Sequence, residues 1–256
     1  MLKELNAAGL VRNGGITSAG LEELEPYRVK RAIFLAAGFG SRLFPITLNT
    51  PKPLVRVNGT RIIDGLLDQV LALGITEIYI VRGYLGEQFD QLRYRYPMIQ
   101  FLENPVYNET NNISSAMCAR YLLSNAYVFE SDLIIRPGLL RRYHYTSDFI
   151  AEYRERCDDW CFKVKDGVIT DEMLGSYDAW RNCGISYWNE MDGKRLTDHL
   201  KTAYERPGGK ELFWEQVPLH LYKDSYQVAV QACNEQDVIE IDTCKELKEI
   251  DKTYDV

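Results

Sequence analysis

Residues 35–45 read Leu35-Ala36-Ala37-Gly38-Phe39-Gly40-Ser41-Arg42-Leu43-Phe44-Pro45, and Thr50-Pro51-Lys52-Pro53-Leu54-Val55 follows closely. Two glycines after an apolar run let backbone N–H groups converge on phosphate oxygens with no side chain in the way. Arg42 adds a planar, permanently charged fork that matches phosphate geometry. Lys52 stands between two prolines, which restrict the backbone on both sides and limit where its ammonium can point. Such a lysine suits charge developing on a transferred phosphoryl group. From Pro26 to Ile63 there are seven basic residues (Arg28, Lys30, Arg31, Arg42, Lys52, Arg56, Arg61) and no Asp or Glu, although the chain carries a formal net charge of -7. A bound polyphosphate explains that local inversion. The loop is not a Walker loop, because no Gly-Lys-Ser/Thr follows, and Leu43 stands where the last glycine of a dinucleotide fingerprint belongs.

Two carboxylates close apolar runs further on. Asp132 follows Tyr127-Val128-Phe129-Glu130-Ser131, and Asp242 follows Val238-Ile239-Glu240-Ile241. Carboxylates at strand ends point into the cleft where phosphates are expected, and they offer the hard oxygen ligands that Mg2+ takes. Each also fits a helix N-cap. Asn111 and Asn112 offer donors and acceptors to a base, and equally fit the start of a helix from Ser114. The second half gathers Tyr153, Trp160, Trp180, Tyr187, Trp188 and Trp214 with Asp158, Asp159 and Glu215. As a set, aromatic faces beside acids form a cage for an ammonium group. Singly, each aromatic reads as core. His144, His199 and His220 lie apart on no recognised motif.

These groups need a frame. Ala32–Ala36, Glu77–Arg82, Ile99–Leu102 and Ala126–Asp132 read as strands. They alternate with helical spacing over Ile62–Leu73, closed by Gly74, over Tyr84–Tyr96, closed by Pro97, and over Ser114–Leu123. That alternation predicts a parallel, helix-covered sheet with its ligand at the carboxyl ends of the strands. After about residue 145 the pattern changes to strands over Ser147–Arg154, Trp160–Lys165 and Asn182–Trp188, with an Asp166-Gly167 turn, then helices near residues 193–205 and 211–219. Residues 1–26 read as a separate appendage of short helices around an Asn13-Gly14-Gly15 turn, a pattern similar to the remnant of a winged-helix module, and residues 27–256 as the main domain.

The bulk properties narrow the function. A 256-residue chain with 46% hydrophobic and 26% charged residues buries a sizeable core. The acidic balance speaks against nucleic acid or an anionic membrane as partner. No apolar run spans a bilayer and no signal-peptide core opens the chain, so a cytoplasmic location is expected. The six cysteines form no CxxC pair and read as reduced thiols. Oligomeric state is not readable.

The string from Gly38 to Val55 resembles the signature of the nucleotidyltransferases that activate sugar phosphates and phospho-alcohols. Within that superfamily the chain resembles the bacterial CTP:phosphocholine cytidylyltransferases. The resemblance runs from about Lys30 to Ile250 and includes Gly83–Gln88, Tyr153–Trp160, Gly184–Trp188, Leu212–Glu215 and Glu240–Asp242. It implies an α/β fold: a mixed, largely parallel, Rossmann-like nucleotidyltransferase sheet covered by helices, with an inserted β-rich substrate-binding element. It implies Mg2+ held by Asp132 and Asp242, with Glu130 standing where relatives carry a further Asp and not assigned as a primary ligand. Lys52 and Arg42 are then the catalytic cations. The nucleotide falls to Leu35, Ala36, Ala37, Gly38, Gly40, Ser41, Arg42, Gly83, Tyr84, Asn112 and Ser114. The amine cage falls to Tyr153, Asp159, Trp160, Tyr187, Trp214 and Glu215. The reaction implied is CTP plus phosphocholine giving CDP-choline and pyrophosphate. Alternatives are the same chemistry on 2-aminoethylphosphonate or phosphoethanolamine, a sugar-1-phosphate acceptor, or a non-catalytic nucleotide sensor.

Overall fold

The computed structural model describes residues 2–255. An N-terminal unit comes first: α1 (Leu2–Ala7), a hairpin of β1 (Val11–Arg12) and β2 (Gly15–Ile16), and α2 (Ser18–Leu24). Thr17 caps α2 by accepting the Gly20 N–H. Gly20 is the one buried residue of positions 2–24. The main body continues with β3 (Arg31–Ala36), β4 (Arg56–Val57), β5 (Thr60–Arg61), α3 (Ile62–Ala72), β6 (Glu77–Arg82), β7 (Ile99–Glu103), α4 (Ile113–Ala119) and β8 (Ala126–Glu130). It ends with β9 (Leu133–Ile135), β10 (Asp148–Lys165), β11 (Val168–Trp188), α5 (Glu190–Glu205), β12 (Ala229–Cys233), β13 (Val238–Glu240) and α6 (Cys244–Ile250). No helix among the described residues is long and apolar enough to cross a membrane.

The central sheet has seven strands. β7, β6, β3 and β8 run parallel, β11 joins β8 antiparallel, β10 pairs antiparallel with β11, and β12 pairs parallel with β10. The mixed, mostly parallel α/β architecture is the one expected. Both faces of β3 are covered, which is why its sequence is a near-continuous apolar run. Phe34 stacks on Phe129 at 4.8 Å, beside Leu66, Leu67 and Val70 of α3. Ile33 turns the other way, into the layer that holds Leu196 and Leu200 of α5.

Three elements depart from the pattern-based expectation. Residues 84–96 do not form an α-helix; Gly86–Tyr94 is a run of tighter turns. Its buried residues, Gly86, Phe89 and Leu92, recur every third position, the period of a 3-10 helix rather than of an α-helix. The three separate strands expected after residue 145 are two long ones. β10 and β11 turn at Asp166-Gly167, both at positive φ, and the hairpin folds back so that Cys161 opposes both Met173 and Arg181. Finally, residues 211–219 form no α-helix but a strap of short turns ending in Val217–Leu221. Pro218 lacks an N–H, and the strap's Trp214 N–H is spent on Asn112 rather than on a helical carbonyl.

α5 lies so close to the end of β8's preceding turn that a Cβ at Gly193 would stand 2.5 Å from the Ser124 backbone. Gly193→Ala therefore forces the helix outward. The expected cost, about 1–3 kcal/mol, exceeds the gain of up to about 1 kcal/mol in helix propensity. Urea unfolding should show a lower midpoint at unchanged m-value; a midpoint equal to the parent's would mean α5 moves off without loss.

Candidate active site

β3 ends at Ala36, and the chain leaves the sheet through Ala37-Gly38. Gly40 adopts φ 61°, and a Cβ there would lie 2.9 Å from Lys52 Cβ. Glycine is required because the Lys52 stem passes beneath the loop. Thr47 holds the loop by donating to Gly40 O at 2.8 Å. Lys52 is anchored in the turn Lys52–Leu54, closed by Leu54 N–H to Pro51 O at 2.8 Å. Its buried ammonium donates to Asp132 Oδ2 at 2.6 Å and to Asp242 Oδ1 at 2.9 Å. Arg42 pairs with the other oxygen of Asp242 and is otherwise exposed.

The two aspartates meet because β9 and β13 pair antiparallel, with Glu240 opposite Leu133 and Ile241 N–H bonded to Asp132 O at 3.1 Å. The same pairing brings in Glu240, which lies two positions before Asp242 on the same side of the chain. Carboxylate oxygens of Glu130, Asp132 and Glu240 lie within 4.8 Å of one another. Asp132 Oδ1 is buried with no hydrogen-bond partner. Burial, then the charge of Asp132, pushes Glu240 up to about 7 and Glu130 well above the usual carboxylate range. Glu130, set aside in the sequence, sits in this cluster; Asp242 stands beside it on Lys52. Glu240 was missed, although it lies within the matched Glu240-Ile241-Asp242 string.

A cavity of about 340 Å³ opens over this floor. Leu35, Ala36, Ala37, Gly38, Gly40, Ser41 and Arg42 line it, as do Lys52, Asn112, Ser114, Asp132 and Asp242. Gly83 and Tyr84 do not line it; they brace it. Tyr107, which does, packs on Gly83, where a Cβ would stand 2.6 Å from its ring. Phe39 of the glycine loop rests on Tyr84 at 5.0 Å and on Tyr107 at 5.3 Å. Asn112 makes no capping bond to α4.

A second cavity of about 560 Å³ shares Arg42, Glu130, Glu240 and Asp242 with the first. Asp159, Trp160 and Glu215 line it, as expected for the cage, together with Glu172 and Phe213. Trp160 and Phe213 stand 5.4 Å apart. The other three cage aromatics lie elsewhere. Tyr153 faces outward from β10, bonded to Asp178 at 2.9 Å and set against Trp180. Tyr187 is buried in the sheet, stacked on His144 at 4.2 Å. Trp214 is buried against Phe149 and Trp188. Strand alternation sends Tyr153 and Tyr187 away, and Trp214 turns inward from a strap whose next-door Phe213 and Glu215 face the cavity. Phe213 was legible as part of Leu212–Glu215; Glu172 carried no local signal. Burial, then the field of Glu215, pushes Glu172 up to about 8, and burial pushes Glu215 up to about 7.

The nucleotidyl transferase family profile matches residues 31–165. A 2-aminoethylphosphonate cytidylyltransferase of Lancefieldella rimae is 35% identical over 87% of this chain and 92% of its own length. A choline-phosphate cytidylyltransferase of Streptococcus pneumoniae is 30% identical over 87% of this chain and 97% of its own. The solved structure of a CTP:phosphocholine cytidylyltransferase from Streptococcus pneumoniae superposes with a TM-score of 0.81 at 30% identity, covering 88% of this chain and 99% of that one. At that identity and coverage, the chain is an enzyme of the nucleotidyl transferase family and belongs to its bacterial CTP:phosphocholine cytidylyltransferase branch.

Proposed function

We propose that this enzyme transfers CMP from CTP to a small phospho-amine and releases pyrophosphate, with Mg2+ as cofactor. The carrying observation is the charged wall that two cavities share: the acids Glu130, Glu240 and Asp242, with Arg42, border both. Such a wall suits two ligands that react across it. An oxygen of the acceptor's phosphate or phosphonate attacks the α-phosphorus of CTP in line, the bond to the bridging oxygen breaks, and pyrophosphate leaves. The nucleophile is already an anion, so no general base is needed.

The chain's own groups divide the work. Lys52 stabilises charge on the α-phosphoryl oxygens, at the only depth its proline-braced stem reaches. Arg42 exchanges Asp242 for the β- and γ-phosphates, assisted by the amides of Gly38–Ser41. The donor set fits a hard divalent ion, since Asp132 keeps one buried oxygen without a partner beside two further carboxylates. Bound there, Mg2+ supplies positive charge that draws two anionic substrates together.

For the acceptor we read a primary ammonium, of which 2-aminoethylphosphonate is the type, rather than the phosphocholine favoured by the sequence. The amine end offers Asp159, Glu172 and Glu215 against two aromatic rings. An ammonium with N–H donors satisfies those oxygens; a trimethylammonium cannot. The Trp160–Phe213 pair and the pneumococcal relative favour phosphocholine as the second reading.

Lys52→Ala and Asp132→Asn should each lower kcat at least ~100-fold, the scale of losing one preorganised electrostatic contact, and near-normal turnover in either removes that role. Pyrophosphate release with CTP should be fastest with 2-aminoethylphosphonate in a panel that includes phosphoethanolamine and phosphocholine. Preference for phosphocholine, together with a raised phosphocholine KM in Trp160→Ala, would establish the second reading instead. The buried acids add a pH dependence. Glu172, Glu215 and Glu240 rise from an ordinary 4.5 to about 8, 7 and 7 on folding, so the folded state holds protons that the unfolded chain releases. The stability they lend is complete below 4.5 and is lost as pH rises through 7–8. Thermal midpoints of the free enzyme should fall across that window, and fall less with Mg2+, CTP and acceptor present. A flat profile would mean that these acids ionise freely.

A further inference from the structure

Asn112 stands immediately before α4, where asparagine ordinarily caps a helix, yet its side chain makes no capping bond. Its Oδ1 accepts the Trp214 N–H at 2.8 Å, from a residue 102 positions along the chain. Its Nδ2 faces Glu215 Oε2 at 3.5 Å. Asn111 adds two bonds to the same strap: its N–H donates to Lys210 O at 2.8 Å and its Nδ2 to Glu211 O at 3.1 Å. Asn111 and Asn112 line the nucleotide cavity, while Phe213 and Glu215 of the strap line the acceptor cavity. Trp214 locks the back of the strap into the core.

We propose that Asn112 is a positioning residue that couples the two substrates, so that nucleotide bound against it sets Glu215 for the acceptor's ammonium. This rests on the acceptor occupying the second cavity, as proposed above. The amide group is planar, so its oxygen and nitrogen move together. A nucleotide that fixes the oxygen side, already held by Trp214, also fixes the nitrogen that faces Glu215. The 3.5 Å separation leaves several tenths of an ångström to close before the contact reaches the length of a charge-assisted bond. That slack is what nucleotide binding takes up. Linkage then requires the acceptor to tighten nucleotide binding by the same factor.

The test is calorimetric titration of 2-aminoethylphosphonate and of phosphocholine into the Mg2+-loaded enzyme, with and without α,β-methylene CTP. The nucleotide should tighten acceptor binding at least about fivefold. Asn112→Ala should remove most of that factor, raising the acceptor KM about tenfold and, by the same linkage, weakening CTP at saturating acceptor by the factor lost. Asn112→Asp keeps the acceptor for the Trp214 N–H but sets a like charge against Glu215. It should lose the coupling too, with a far-UV circular dichroism spectrum that matches the parent's. A folded variant of either kind that keeps the parental factor overturns the inference, as does an equal loss of CTP and acceptor affinity with the factor intact. If the parent enzyme turns over none of the phospho-amines, the functional reading fails. If it is active and the variants keep the coupling, only the role of Asn112 fails.

Discussion

Lys52 sits between Asp132 and Asp242, at 2.6 and 2.9 Å, on the floor of the cleft. Four carboxylates, those of Glu130, Asp132, Glu240 and Asp242, crowd this floor: Lys52 and Arg42 pair with the two aspartates, while burial and the charge of Asp132 push Glu130 and Glu240 up toward the protonated form. Much of the local fold serves that arrangement. Gly40 has no side chain so that the lysine can pass, prolines on both sides fix its departure, and β13 pairs with β9 so that Asp242 meets Asp132. Of the seven cations in the acid-free stretch, Arg42 and Lys52 meet the acids of the later segments here, whereas Arg28, Arg31 and Arg61 pair elsewhere, with Glu25, Glu77 and Asp64.

That pairing is a resting state. Arg42 spends its charge on Asp242, and Lys52 spends its own on both aspartates. Under the proposed function, phosphates enter by exchange of ion pairs, because each cation already has an anionic partner.

The legibility of this molecule in its sequence follows the range of the interactions. β3 and its glycine loop, α3 and the parallel sheet were readable because each is specified by a continuous local run. The turns at Gly86–Tyr94 were misread by period alone, since Phe89 and Leu92 repeat at three and not at 3.6. The acceptor end was only half readable. Trp160 and Glu215 stood out by residue type, but Glu172 reaches the cavity only because β10 and β11 fold back on themselves. Tyr187 is hidden by a different long-range contact, the pairing of β11 with β8 in the central sheet. A cage inferred from composition could not know which face each strand would offer.

The consequence for specificity lies in where precision comes from. The phosphate end is built on the ends of β3, β8 and the β9–β13 pair, which the packed core holds rigidly. The second cavity is lined by the folded hairpin and the strap, whose inner residues, Phe149 and Phe162 on the one and Trp214, Val217 and Leu219 on the other, are buried in a common core while Trp160, Phe213 and Glu215 face the cavity. Sites carried on strands and helices are held more precisely than sites carried on loops. The strap's lining residues Phe213 and Glu215 take their position from two sides: Trp214, Val217 and Leu219 are buried in the core, and Asn111 and Asn112 hold the intervening backbone with polar bonds.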